Sequence, residues 1–407
     1  MATLKPTRVW KATVPLGQGG TSGGLLPIPR NLADHFFENG HEDDDEDDLM
    51  ELLMKLKWLV LLCALAGSLP LTAAELERYI AVDNVCAWPN LTLLKDGTIA
   101  AAIFNHPSHG QAEGDVECWA STDGGRIWKL RGVPAAHEPG TNRMNVAAGM
   151  ANDGALVVLA SGWGGQNFRG KILKPWANRS TDGGRTWKRS EAITLPAGLD
   201  YLIPFGDVIP ISGKLLAAPF YHEQITFGVP RDPKKKRVGT SYLLFSKDDG
   251  ITWGDATVIG ADDYNETAVL RLAPDRWLAA ARTFGDGHLD LFVSKDEGRS
   301  WAKSGPLTLP SHHPAHLMQL SDRRVLLTYG IREKNHQGVG VRISPDQGQT
   351  WKAPTRLTNL EGTTDGGYPA TVQLSDGNMV TAYYSNGIPQ HRRYHMGVVR
   401  WTLKDIE

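Results

Sequence analysis

His106 and His109 stand close to Glu113 and Asp115 in one short stretch of the chain, FNHPSHGQAEGDVECW (104–119). Imidazoles are natural proton donors and acceptors near neutral pH, and a carboxylate held nearby can do the same work. Asp115 reads equally well as the first residue of a strand. A second polar group, HEPGTNRMN, supplies His137, Glu138, Arg143 and Asn145, and a third, SGWGGQNFR, supplies Trp163 and Arg169. Polar loops with a flat indole among them suit a concave site for a polar molecule, although Trp163 also reads as part of an aromatic core. His222, His312, His313 and His316 are further loop candidates, but their spacing makes no metal-ligand motif. No metal and no cofactor is expected.

These loops need a scaffold, and five copies of one turn describe it. STDGGRIW (121–128), STDGGRTW (180–187), SKDDGITW (246–253), SKDEGRSW (294–301) and SPDQGQTW (344–351) share S-x-D-x-G-x-[T/S/I]-W, with start-to-start intervals of 59, 66, 48 and 50 residues. The Asp accepts hydrogen bonds from nearby backbone N–H groups, the Gly supplies the positive φ of a tight turn, and the Trp buries its ring as an anchor. Each copy follows a β-like run such as DVECWAS, SYLLFS, LDLFVS or VGVRIS. Repeats of about fifty residues carrying four strands predict a β-propeller. Residues 75–407 divide into six blades of about 55 residues. Five blades bear the turn, and a sixth combines strands within 368–384 and 396–403 with an N-terminal strand near Tyr79–Val82. Seven blades are the second choice. No stretch between the turns sustains a helical apolar period, so the fold class is all-β.

The turns resemble the Asp-boxes of the sialidase (neuraminidase) superfamily, whose members are six-bladed propellers, and the resemblance covers nearly all of residues 80–403. Asp-boxes lie on the rim and also occur in non-catalytic propellers, so they speak for architecture only. Sialidases act on a sugar whose anomeric carbon bears a carboxylate. That charge repels a carboxylate nucleophile, so a Tyr deprotonated by a Glu attacks instead. Arginines hold the substrate carboxylate and an Asp protonates the leaving oxygen.

Carried over by motif, YNETAVLRLAPDRWLAAAR (264–282) implies Glu266 as the base and Arg282 as a carboxylate clamp, and GYPATVQLSDGNMVTAYY implies Tyr368 as the nucleophile. The third arginine is expected at Arg332 in LLTYGIRE, although the register also falls near His336, and Arg342 precedes a box. The first half departs from the family. Its Tyr/Phe-Arg-Ile-Pro motif is replaced by Cys86-Ala87-Trp88-Pro89, so the first arginine is missing, and the place of the Asp acid falls near Gln111. Glu113, Asp115 or His109 would have to substitute, and His106, Arg143 and Trp163 are expected to line the sugar site.

The leading expectation is therefore a secreted, exo-acting glycosidase of sialidase type cleaving terminal acidic sugars, acting as a monomer on a glycan. The missing arginine and Asp keep two alternatives open: a related propeller rhamnosidase or uronate lyase using His106 or His109, and a non-catalytic glycan-binding propeller.

The totals fit a globular chain: 407 residues, 41% hydrophobic, 22% charged, 44 Gly, 13 Trp and only 3 Cys. A formal net charge of −2 gives no reason to expect nucleic acid. MKLKWLVLLCALAGSLPLTAAE has the basic, apolar and small-residue parts of a secretory signal peptide spanning 54–74, too short for a comfortable membrane span. Secretion or a periplasmic location without stable membrane insertion is expected. Residues 1–53, Gly-rich and then acidic (EDDDEDD, 42–48), read as a non-native or misassigned leader expected to be disordered. PKKKRV (233–238) reads as a solvated basic loop, and Asn90, Asn178 and Asn265 each open an Asn-x-Ser/Thr triplet.

Overall fold

The computed structural model describes residues 9–10, 76–225 and 235–406. The leader and signal segment expected at 1–53 and 54–74 lie outside them, except Val9–Trp10, a two-residue strand pairing with Tyr79 and Arg78. Among the described residues no helix is long and apolar enough to cross a membrane.

Six antiparallel sheets follow one another as blades. Blade 1 holds Ala87–Leu93, Ile99–Phe104, Val116–Ser121 and Lys129–Ala135. Blade 2 holds Asn145–Met150, Leu156–Gly164, Lys171–Ser180 and Lys188–Ser190. Blade 3 has a broken inner edge, Ile203–Pro204 and Ile209–Ser212, followed by Leu215–Glu223, Gly239–Ser246 and Gly254–Gly260. Between the two inner pieces Gly206–Asp207 crosses to pair in parallel with blade 2. Blade 4 runs Tyr264–Ala273, Arg276–Thr283, Leu289–Ser294, Ala302–Pro306, and blade 5 His312–Gln319, Val325–Ile331, Gly338–Ser344, Thr355–Asn359. Blade 6 takes Gly366–Gln373, Met379–Ser385 and His395–Trp401 from the end of the chain, and its fourth strand, Glu77–Asp83, from the beginning. The first strand thus closes the ring with the last blade, as expected for the blade without a box.

Apolar clusters fill the gaps between blades. Ile99, Ile103 and Phe104 pack with Val380, Ala382 and Val398 between blades 1 and 6, and Leu278 and Leu289 pack with Leu317 and Leu327 between blades 4 and 5. Second strands are sandwiched on both sides, which explains why IAAAIF is buried throughout and reads as an uninterrupted apolar run.

The boxes join the third and fourth strands of blades 1 to 5. In each, the Ser hydroxyl accepts the N–H of the box Gly at 2.7–2.9 Å. That Gly has positive φ, 93° at Gly184 and 83° at Gly348. It also touches the preceding blade: a Cβ on Gly184 would stand 2.6 Å from Cys118 Sγ, and one on Gly348 2.5 Å from Leu278 Cδ1. Each box therefore staples its blade to the one before it. Third strands run back from the loops that follow second strands, so the boxes and those loops occupy opposite faces of the propeller.

Asn90, Asn178 and Asn265 are all buried, which keeps the glycosylation triplets out of reach in the folded chain.

Candidate active site

The inner strands slip register near their starts in four blades, between Ala87 and Asn90, Tyr264 and Thr267, His312 and Ala315, and Gly367 and Ala370. Bulges of this kind re-aim side chains and recur beside functional sites. The residues inside them are Trp88–Pro89, Asn265–Glu266, His313–Pro314 and Tyr368–Pro369. Trp88 and Tyr368 take positive φ of 43° and 52°, conformations an aromatic residue adopts only when its surroundings enforce them.

The result is a cavity of about 890 Å³, counting its open mouth, on the face opposite the boxes. Trp88, His109, Trp163, Arg169, Phe205, Glu266, His316 and Tyr368 help to line it. At its centre the Tyr368 hydroxyl donates to Glu266 Oε1 at 2.5 Å. Arg282 Nη1 donates to Glu266 Oε2 and lies 3.4 Å from Tyr368 Oη. Burial, and then the Glu266 charge, push the Tyr368 phenol well above its ordinary value, against the pull of Arg282 and Arg332. The phenol therefore stays protonated at rest and needs Glu266 to take its proton.

Arg332 stands on the other side of the ring, its Cζ 5.7 Å from the Tyr368 centroid. It donates to Gly366 O at 2.8 Å and to Asp365 Oδ1 at 3.1 Å. Asp365 is a hub: Oδ1 also accepts from Tyr384 at 2.6 Å, and Oδ2 accepts from Tyr394 at 2.9 Å and meets His109 Nδ1 at 2.7 Å. Burial alone would raise this carboxyl; the His109 hydrogen bond and charge, the Tyr384 hydroxyl and Arg332 together hold it well below the usual carboxylate range. Aromatic rings close the wall, with Phe205 edge-on to Tyr368 at 6.2 Å and Trp88 at 6.5 Å. On the cavity floor Asn90 Nδ2 donates to Asp207 Oδ1 at 3.1 Å and His316 Nε2 sits 3.3 Å from Asp207 Oδ2, while Asn90 Oδ1 and Asn145 Oδ1 have no partner.

The structure thus brings together Tyr368, Glu266, Arg282, Arg332, His109 and Trp163. Three other residues expected at the site stand apart from it. The Arg143 guanidinium lies 3.4 Å over the Trp176 ring and bonds Lys174 O and Glu138, a stack inside blade 2. Glu113 accepts the Gly140 N–H at 2.6 Å and faces His137, which also holds Asp115, on the outside of the loop. His106 does not border the cavity; its carbonyl accepts the Cys86 N–H at 2.9 Å. Arg342 bonds three backbone carbonyls beside its box. His313, in the bulge of blade 5, is pushed down to about 2 by burial and by Arg282 and Arg332, so it stays neutral. Asp365 escaped the sequence reading because TTDGGYP looks like an ordinary turn. The aromatic–Pro pairs at 88–89 and 368–369 were a usable signal, since both fall in the same bulge.

Among the described residues Cys86, His109 and Asp365 form one group with potential metal-ligand atoms within 4.8 Å of one another. Burial, and next the Asp365 charge, push the Cys86 thiol well up. The Asp365 oxygens are already taken by four groups, one a guanidinium. A divalent cation there would have to displace Arg332, so the donor set fits a hydrogen-bonded knot better than a metal site.

The sequence profile of the BNR repeat-like domain matches residues 97–381. The chain is 26% identical over 331 residues to a sialidase of Micromonospora viridifaciens, covering 68% of this chain and 47% of that one. It is 24% identical over 369 residues to a sialidase of Bacteroides fragilis, covering 81% and 64%. The chain therefore spans about half to two thirds of the relatives it matches. Among solved structures, the Hadza microbial sialidase Hz136 superposes with a TM-score of 0.66 at 20% identity, covering 82% of this chain and 70% of that one. With six blades, five Asp-box turns and a profile match across most of its length, the chain belongs to the BNR repeat-like family of sialidase-superfamily β-propellers.

Proposed function

We propose that this propeller is a retaining exo-glycosidase that cleaves terminal sugars bearing a carboxylate at the anomeric carbon. The observation that carries the reading is the 2.5 Å Tyr368–Glu266 hydrogen bond, flanked by Arg282 and Arg332 in a cavity with an aromatic wall. A phenol gains its nucleophilicity only as its proton leaves, and Glu266 is placed to receive it. Tyr368 Oη then bonds to the anomeric carbon as the leaving oxygen departs, and water later displaces the tyrosine with a second inversion. Both guanidiniums border the Tyr368 ring or hydroxyl, and a carboxylate on that carbon is the group their planar forks suit.

A second reading is favoured by Ala87, which stands where the resemblance places the first arginine, and by the pairing of Arg282 and Arg332 with Glu266 and Asp365. With those charges balanced, the same nucleophile suits a neutral sugar. The signal-like segment at 54–74 supports a secreted or periplasmic protein acting as a monomer on glycans. Turnover of an aryl α-ketoside of N-acetylneuraminic acid, compared with aryl α-L-rhamnoside and α-L-arabinofuranoside, tests the proposal. Turnover of the acidic sugar alone is expected; turnover of only a neutral sugar selects the second reading. Formation of an unsaturated uronate, or binding without turnover, overturns both.

A further inference from the structure

The Tyr368–Glu266 pair lacks a partner that delivers a proton to the departing oxygen. Of the polar residues on the loop after the second strand of blade 1, only His109 borders the cavity. Glu113 and Asp115 are tied to Gly140 and His137, and the Gln111 N–H is held by Ser108 Oγ. On the other walls, His316 is buried on the floor against Asp207 and His313 stays neutral. His109 is also at the right end of the cavity. Its side chain lines the cavity yet is 46% exposed, as a group that meets the projecting aglycone of an exo-acting enzyme must be.

Its ring is held on two sides and its loop is pinned behind it. Nδ1 is 2.7 Å from Asp365 Oδ2, the ring meets Trp88 edge-on at 5.0 Å, and the next residue is pinned by Asn142 Nδ2 donating to Gly110 O at 3.1 Å. Gly110 itself has a φ of 68°, a conformation that favours glycine and fixes the loop beside the ring. With Nδ1 committed to a carboxylate, Nε2 is the nitrogen left for a ligand. Asp365 links His109 to the nucleophile through Arg332. Asp365 behind Nδ1 orients the ring, as a carboxylate behind a catalytic imidazole does generally.

We infer that His109, oriented by Asp365, is the acid/base residue of this site; the inference rests on the Tyr368/Glu266 reading. In the first step Tyr368 Oη bonds to the anomeric carbon as the glycosidic C–O bond breaks. The phenol proton passes to Glu266, and the Nε2 proton of His109 passes to the leaving oxygen. In the second step water attacks the same carbon and gives a proton to His109 Nε2. The carbon–Tyr368 bond breaks, and Glu266 returns its proton to the phenolate.

The experiment compares two ketosides of the same acidic sugar, one leaving as nitrophenolate and one as lactose, in the full chain. Nitrophenolate needs no proton, so His109→Ala should keep kcat/KM for it within about tenfold, whereas the lactosyl substrate should lose about 10²–10⁴-fold. Added imidazole should restore lactosyl turnover. Asp365→Asn, as a positioning change, should show the same leaving-group bias, which a purely structural carboxylate would not produce. Equal losses on both substrates, or no imidazole rescue, overturn the inference. If His109→Ala does not fold, His109→Gln retains a donor to Asp365 and makes the same forecast without the acid. Failure of the underlying reading looks different: Tyr368→Phe would then remain active on both ketosides.

Discussion

Replacing Arg282 by lysine tests whether the cavity was built for a carboxylate. Arg282 Nη1 is committed to Glu266 and borders the Tyr368 hydroxyl, whereas Nη2 has no hydrogen bond among the described residues and keeps its donors for a ligand. Arg282→Ala would be a poor probe, because it leaves the buried Glu266 unpaired, a change that typically costs 3–5 kcal/mol of stability, on the order of a buried ion pair broken on one side. Lysine keeps the charge, and with it the Glu266 pair, but replaces the fork with a single ammonium. One charge-assisted hydrogen bond to the substrate carboxylate is then lost, worth about 2 kcal/mol. That converts to a rise of roughly 30-fold in KM. The assay is Michaelis–Menten kinetics on the acidic ketoside, with a melting curve to confirm that the variant folds. An unchanged KM, or a fall in kcat with KM unaltered, would refute the assignment of Arg282 as a carboxylate clamp.

Two further predictions concern the scaffold. Asp182 accepts the N–H groups of Arg185 and Thr186 at 3.0 and 2.9 Å and the Thr186 hydroxyl at 2.6 Å, but water can reach these groups. Asp182→Ala should therefore cost about 1 kcal/mol, seen as a small fall in melting temperature with activity per folded molecule retained; stability unchanged but turnover lost would place the boxes at the chemistry. His395 is pushed down to about 4, chiefly by burial. The unfolded chain takes up that proton near pH 6.5 while the folded chain does not, so stability falls as pH drops from 6.5 toward 4, by on the order of 3 kcal/mol from this residue. Chemical denaturation of His395→Gln across that range should show a shallower slope than the parent chain, and an identical slope would remove His395 from the account.

Much of the architecture was legible in the sequence because the box is a local device. Ser, Asp, Gly and Trp act within eight residues, so their spacing counts blades directly, and the missing sixth box points to closure by the first strand. The position of Tyr368 opposite Glu266 was accessible only through resemblance, since 102 residues separate them and nothing local links them. Arg143 shows what remained hidden. Its loop composition suggests a ligand site, yet it lies over Trp176 from the third strand of the same blade, and the resulting stack turns the guanidinium into the blade. Asp365 was hidden for the opposite reason. Its neighbours Thr and Gly advertise a turn, while its four partners come from Arg332, Tyr384, Tyr394 and His109, assembled only when three separate parts of the chain meet.

The central claim is that Tyr368 becomes covalently attached to the sugar. Incubation with a fluorinated acidic glycosyl fluoride, in which the electron-withdrawing fluorine slows hydrolysis of the intermediate more than its formation, followed by peptide mass mapping, tests this directly. The account predicts one sugar per chain, on the peptide that carries Tyr368, and none in Tyr368→Phe. A sugar found on Glu266 or Asp365, or steady turnover of the acidic ketoside with Tyr368 unmodified, would contradict it.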